Sequence, residues 1–222
     1  MLPGVKEKWS HTLPYIFMAL FAVSRWPGLF PPSFSMAYAL VFCAGVFLSK
    51  RMAWWLPLGT LVLTDIALNF YYQSKGWDVW KLSTIAYQSV NYVAYALIIL
   101  LAKRFKPRSS FMSLLGGGLL GALLFYVVTN ASSWLFNPFD NPEYNKRGFL
   151  ALLLAIIKGT HGWPDAWMFF RNTMLSGGLF TALFVGALKL TAPAESPLEK
   201  EGGARAPESE PTGEETPEEA RA

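Results

Sequence analysis

Apolar residues in this chain come in blocks, and the lengths of those blocks limit the fold more than any motif does. Six are present, at roughly 12–24, 34–49, 53–72, 82–102, 110–136 and 164–190. A bilayer hydrocarbon core is about 30 Å thick and takes about 20 apolar residues as helix, with about 17–25 the usual range. Four blocks reach that length and the second nearly does. The first, His11–Ser24, needs tilt, local thinning of the bilayer or help from its flanks. Backbone amides in lipid must pair within their own segment, so these blocks are helices rather than open strands. The expectation is an all-α, polytopic integral membrane protein, a bundle of six transmembrane helices over residues 1–190.

The opening MLPGVKEKWSHTLPYIFMALFAVSR sets lysines ahead of an apolar run, as a signal peptide does. Arg25, Trp26 and Pro27 follow where a small-x-small cleavage site belongs, so it reads as a retained first helix. At the other end, residues 191–222 are rich in Glu, Pro, Gly and Ala and hold one large aliphatic, Leu198. Such a segment buries too little surface to offset its ordering entropy, and a disordered acidic tail is expected.

Charge is split along the chain. Residues 1–189 carry 16 Lys/Arg against 6 Asp/Glu, and residues 190–222 carry 3 against 9. Short cytoplasmic loops collect Lys and Arg. Lys6 and Lys8, then Lys50 and Arg51, then Lys103, Arg104, Lys106 and Arg108 fall on one face. The opposite loops hold Arg25, Lys75, Lys81, Lys146, Arg147 and Lys158, partly balanced by Asp78, Asp140 and Glu143. This places both termini in the cytoplasm and the chain in the inner membrane. The basic excess has that topological use, so no nucleic-acid partner is expected.

Catalytic signatures are missing. Cys43 is the single cysteine, and His11 and His161 lie in opposite flanks. No HExxH, GxSxG or CxxC occurs, and Gly116-Gly117-Gly118 lacks the GK[ST] of a phosphate loop. No catalytic residue, metal site or cofactor is expected, and the chain does not read as an enzyme. A lipid-modifying enzyme would need Asp65 or His161 to move a proton.

Asp65 is the residue in the wrong solvent. It sits in WWLPLGTLVLTDIALNFYY with no other charge between Arg51 and Lys75. A carboxylate at membrane depth costs several kcal/mol unless it is paired, hydrated or protonated. Arg171 or Arg25 can serve as its counter-charge. Further polar residues lie inside spans: Gln88, Asn91 and Tyr92; Thr129, Asn130, Ser132 and Ser133; Arg171 and Asn172. Each serves as interhelical glue or as site lining. Aromatic residues crowd the expected outer end, among them Trp26, Tyr71, Trp77, Trp80, Trp134 and Trp167, which reads either as an interfacial belt or as the wall of an outward pocket. The fifth connection begins NPFDNPEYNKR and continues GFLALLLAIIKG, too short to span but suited to an extra interfacial helix and a lid. Small residues at Gly117 and Gly121, and at Gly178, Ala182 and Gly186, suit close helix packing.

The segments Arg25-Trp-Pro-Gly-Leu-Phe-Pro-Pro-Ser-Phe-Ser-Met-Ala, LPLGTLVLTD to Asp65, NYVAYALIILL from Asn91, FYVVTNASSWLF from Phe125 and WMFFRNTMLSGGLFTALFVG from Trp167 share an order and spacing. Together they resemble a family of small uncharacterised six-helix bacterial membrane proteins over roughly residues 12–190. That group is similar in turn to the substrate-capturing S components of energy-coupling factor vitamin transporters. The resemblance implies both termini inside and an outward ligand pocket capped by the first, third and fifth loops. It departs at the alanine-xxx-alanine docking surface of the first helix, because Ala19 is followed by Val23 and Ala22 by Trp26. The functional expectation is a substrate-binding subunit for a small organic solute, with Asp65, Asn91, Asn130, Trp134, Arg171 and Asn172 lining or bracing the pocket. Its partners would be the lipid bilayer, the solute, and energising transporter subunits. The alternative is a structural or assembly subunit of a larger membrane complex.

Overall fold

The computed structural model describes residues 3–138, 140–145, 148–159 and 164–191; the expected acidic tail from Ala192 onward and His161 lie outside them. The described residues form eight helices and no strand. They are α1 (Pro3–Ser24), α2 (Ala37–Phe47), α3 (Met52–Ser74), α4 (Leu82–Ala102), α5 (Phe111–Phe136), α6 (Pro142–Asn145), α7 (Phe149–Ile157) and α8 (Ala166–Thr191).

Four helices, α3, α4, α5 and α8, are long enough and apolar enough to cross a membrane. At a rise of about 1.5 Å per residue they run from about 31 to about 39 Å. Their exteriors are apolar: Trp55, Leu63 and Phe70 of α3 are exposed, as are Leu175, Leu179 and Leu183 of α8. Water would solvate such faces poorly, whereas lipid tails do so at no cost. The chain is therefore a helical protein of membrane type.

The second apolar block forms less helix than its length implies. Pro31 and Pro32 cannot donate to a ladder, Ser33 takes a left-handed φ of 60°, and Leu48 ends the helix in an extended conformation. What remains is an 11-residue α2, about 16 Å long and buried along nearly its whole length. The apolar part of α1, Pro14–Ser24, is equally short. Length alone thus supports four spans where six were expected.

Local signals explain the other boundaries. Ser110 caps α5 by accepting a hydrogen bond from the Ser113 amide at 3.1 Å. Asn137 closes α5 in the left-handed region at φ 44°, just before Pro138. Gly159 ends α7 at φ 82°, where a Cβ would also press on Ala166.

Helix α2 lies at the centre, with Leu40, Val41, Phe42 and Cys43 almost fully buried among residues of α1, α4, α5 and α8. α5 packs most extensively against α4 and α8. Glycines make this possible. A Cβ at Gly117 would strike Phe42 and Phe105, and one at Gly118 would strike the Thr181 side chain. One at Gly177 would strike Ala122. Of the stripe expected at Gly178, Ala182 and Gly186, Gly178 packs on Leu119 of α5, beside Gly177 and Thr181 on the same helix, and Gly186 meets open space.

α3 is held differently. It packs lightly, and polar pairs tie it to its neighbours. Arg25 bonds Asp65, joining the end of α1 to α3. Asn69 and Gln88 exchange reciprocal amide hydrogen bonds of 3.2 and 2.9 Å, joining α3 to α4.

Candidate functional site

Helical spacing brings polar residues of three helices together. On α5, Tyr126, Thr129, Asn130 and Ser133 fall at i, i+3, i+4 and i+7, which is one face. On α4, Tyr87 and Asn91 share a face at i, i+4, as do Phe169 and Thr173 on α8. These faces converge on a cleft of about 250 Å³. Phe125 adds a further wall, while Ser33 from the α1–α2 connection, Tyr144 of α6 and Gly159 after α7 close it. The cleft lies within about 15 Å of the helix ends that carry the long fifth connection.

The closing segments are tightly anchored. The Tyr126 hydroxyl donates to the Ile156 carbonyl at 2.5 Å and lies 3.0 Å from that of Ala166, bridging α5 to α7 and α8. Asn137 accepts from the Asn141 amide at 2.7 Å and donates to the Asn141 carbonyl at 3.0 Å. That ring of bonds folds the NPFDNPEYN stretch into a turn and drives Tyr144 inward, where it is 1% exposed. In the first connection the Ser33 carbonyl accepts from Tyr38 at 3.1 Å, and the Pro32 carbonyl accepts from the Asn172 amide at 2.9 Å.

Most of the cleft's donors are committed. Thr129 donates to the Phe125 carbonyl at 2.9 Å, and the Asn130 amide donates to the Tyr126 carbonyl at 2.8 Å. Asn91 differs: among the described residues its carboxamide makes no hydrogen bond. The Asn130 Oδ1 likewise has no partner there.

Of the six candidates drawn from the sequence, the structure brings Asn91 and Asn130 into this cleft. Asp65 is 13% exposed at its side chain and pairs with Arg25, which settles the choice of counter-charge against Arg171. Its Oδ2 is buried without a hydrogen-bond partner, beside the Tyr92 phenol. Arg171 is exposed, lies 5.4 Å over the Trp167 ring and bonds Asn172 at 3.4 Å. Asn172 braces the first connection. Trp134, one turn on from Asn130, is half-buried on α5 and is not among the residues that line the cleft. Thr129 and Ser133, noted above as polar residues inside a span, line the cleft too; Tyr87, Tyr126 and Thr173 do so without having been singled out, although their spacing of four from Asn91, Asn130 and Phe169 carries the signal.

A second hollow of about 360 Å³ lies between the end of α1 and α3, lined by Ala22, Val23, Trp26, Ala67 and Leu68 with Arg25 and Thr64. The Thr64 hydroxyl is turned back on its own helix, and Arg25 is engaged with Asp65. It offers a polar solute little beyond that cation.

The match with known proteins covers most of this architecture. A model for a family of unknown function, DUF6580, matches residues 6–198. The chain belongs to DUF6580. A comparison with curated proteins and with solved structures found no match. The matched stretch of DUF6580 contains every residue of the cleft and both members of the Arg25–Asp65 pair. No group of three or more His, Cys, Asp or Glu gathers among the described residues of this DUF6580 chain in a way that would hold a metal ion.

Proposed function

We propose that this chain is the solute-binding subunit of a membrane uptake system, and that the α4–α5–α8 cleft receives a small organic solute. The observation that carries this is the Asn91 carboxamide, lining a walled cleft with no protein partner among the described residues. Polar groups inside proteins are nearly always hydrogen-bonded, so a group left open in a cleft is directed to solvent or solute. Aromatic walls with a few placed polar groups are the usual make-up of small-molecule sites.

The likeness to S components fits this reading, since the first and fifth connections both contribute to the cleft through Ser33, Tyr144 and Gly159. In this reading α1 and α2 join the four long helices as six crossings, with both termini in the cytoplasm of a bacterial inner membrane. Lys189 reaches the Ser109 carbonyl at 2.7 Å and Lys103 lies 4.7 Å over Trp54, so basic residues gather at the end away from the cleft. That supports an outward cleft by the positive-inside rule. The exposed Phe149 and Leu150 suit an α7 lying in the outer interface. The chain would carry no catalysis of its own and would pass its solute to energising subunits.

The test is capture. The full chain in nanodiscs is incubated with a metabolite extract, washed, and its retained small molecules identified by mass spectrometry. A retained compound that also raises the unfolding temperature is expected. A chain that retains nothing and shifts with nothing would count decisively against the reading.

The lightly packed, apolar α3 favours a second reading, an assembly subunit that buries that face against another membrane protein. Cross-linking in native membranes that repeatedly joins α3 to one partner would support it, and recovery of monomer alone would remove it.

A further inference from the structure

We infer that the solute is uncharged and planar and presents a hydrogen-bond donor and acceptor side by side, as a lactam, a cyclic imide or an aromatic carboxamide does. The inference rests on the uptake reading above and narrows its ligand.

Charge comes first. The described lining of the cleft has no Lys, Arg, His, Asp or Glu. Two of the cations are engaged elsewhere, Arg25 with Asp65 and Arg171 over Trp167. An ion brought from water into such a cleft loses hydration and gains no counter-charge, a penalty of several kcal/mol even after relaxation. A neutral solute avoids that penalty.

The free hydrogen-bonding groups then set the pattern. A hydroxyl has one proton, and those of Thr129 and Tyr126 go to backbone carbonyls. The Asn130 amide is also partly used, which leaves its Oδ1 as an acceptor. Asn91 retains both halves of its carboxamide. Whichever way that group is turned, it presents an acceptor and a donor in one plane. The complement is a planar edge with donor and acceptor adjacent, the geometry by which Asn and Gln read the edge of adenine.

Shape agrees. Phe125, Tyr126, Tyr144 and Phe169 line the cleft, and aromatic walls suit a flat molecule. At about 30 Å³ per water, 250 Å³ corresponds to about eight waters, enough for one ring and a short substituent.

The test uses matched pairs that differ in charge: benzamide against benzoate and uracil against orotate, with glucose as a neutral solute that is not planar. Unfolding of the full chain in nanodiscs is followed by tryptophan fluorescence across ligand concentration. Benzamide or uracil should raise the unfolding temperature in a saturable way, and the two acids and glucose should not. Asn91→Asp replaces the donor with a second acceptor and a charge, and should weaken the amide response about ten- to hundred-fold. Asn91→Leu, free of the charge, should do the same if the Asp variant does not fold. A response to acids alone overturns the inference, with a cation from outside the described residues completing the site, and leaves the uptake reading standing. A response to glucose alone, or an unchanged amide response in both variants, overturns it in the same way. No response to any probe, while the extract yields a retained compound, overturns the ligand class. No response and no retained compound overturns both readings.

Discussion

Removing Arg25 while leaving Asp65 should be the most damaging single truncation at the α1–α3 contact. The two side chains are 16% and 13% exposed. Asp65 lies nine residues before the end of α3, about 14 Å from that end along the helix. Arg25→Ala strips the carboxylate of its counter-charge and of the guanidinium hydrogen bond to Oδ1, while Oδ2 has no hydrogen-bond partner among the described residues. Breaking a buried pair by deleting one partner costs about 3–5 kcal/mol. Residual exposure puts this pair near the lower bound, about 3 kcal/mol. At about 2–4 °C per kcal/mol for a chain of this size, the unfolding temperature should fall by about 6–12 °C. Asp65→Asn should cost less, about 1 kcal/mol, because the freed guanidinium sits beyond the end of α1 and can turn its stem toward the aqueous boundary. Arg25→Met with Asp65→Leu should recover to within about 1 kcal/mol of the native chain, since an apolar pair carries no desolvation penalty. A double-mutant cycle on thermal unfolding in nanodiscs measures all three. If Arg25→Ala proved no worse than Asp65→Asn, or the double variant were no better than the worse single, the account of Asp65 as a carboxylate held by its counter-charge would be wrong.

Gly118→Ala should lower stability by about 1–3 kcal/mol, because its Cβ would collide with the Thr181 side chain, and Thr181→Ala in the same chain should recover part of the loss, both read by thermal unfolding. Thr181→Val should be neutral or stabilising by up to about 1 kcal/mol in the same assay, because it removes a buried hydroxyl that has no hydrogen-bond partner. Tyr126→Phe should cost about 1–3 kcal/mol by removing the donor to the Ile156 carbonyl, with faster amide hydrogen exchange across α7 as the local signature.

Helix positions were legible because they depend on one-dimensional quantities. The blocks at 53–72, 82–102, 110–136 and 164–190 become α3, α4, α5 and α8 with ends shifted by at most two residues. The length of α2 was not, because an apolar run does not reveal that the turn after Ser33 leaves Phe34, Ser35 and Met36 ahead of the helix and that Leu48 turns extended at its end. At the cleft, residue type was legible and direction was not. Asn130 and Trp134 are four apart on one helix, yet Asn130 lines the cleft with Tyr126, Thr129 and Ser133 and Trp134 does not, because depth along the helix decides as well as face. Arg171 and Asn172 drew attention as polar residues, but Thr173, the next residue, faces the cleft. The need for a counter-charge at Asp65 could be argued from composition; the choice of Arg25 required knowing that α1 ends against α3.

Two kinds of contact divide the labour in this bundle, and lipid explains why. Between helices in a bilayer the hydrophobic drive is absent, so association comes from close van der Waals packing or from polar pairs. α5 and α8 use the first, with Gly118, Gly177 and Gly178 letting the two helices approach closely. α3 lacks that option: its glycine, Gly59, has nothing within 4 Å of a Cβ position. It is held instead by Arg25–Asp65 on one side and Asn69–Gln88 on the other. The intramembrane charge is thereby consumed in tethering a helix outside the cleft. The helices that form the cleft need no charge to hold together, and so the cleft they enclose can remain neutral among its described residues. A charge placed there, as in Asn91→Asp, should then disturb ligand selection far more than it disturbs the packing of α5 on α8.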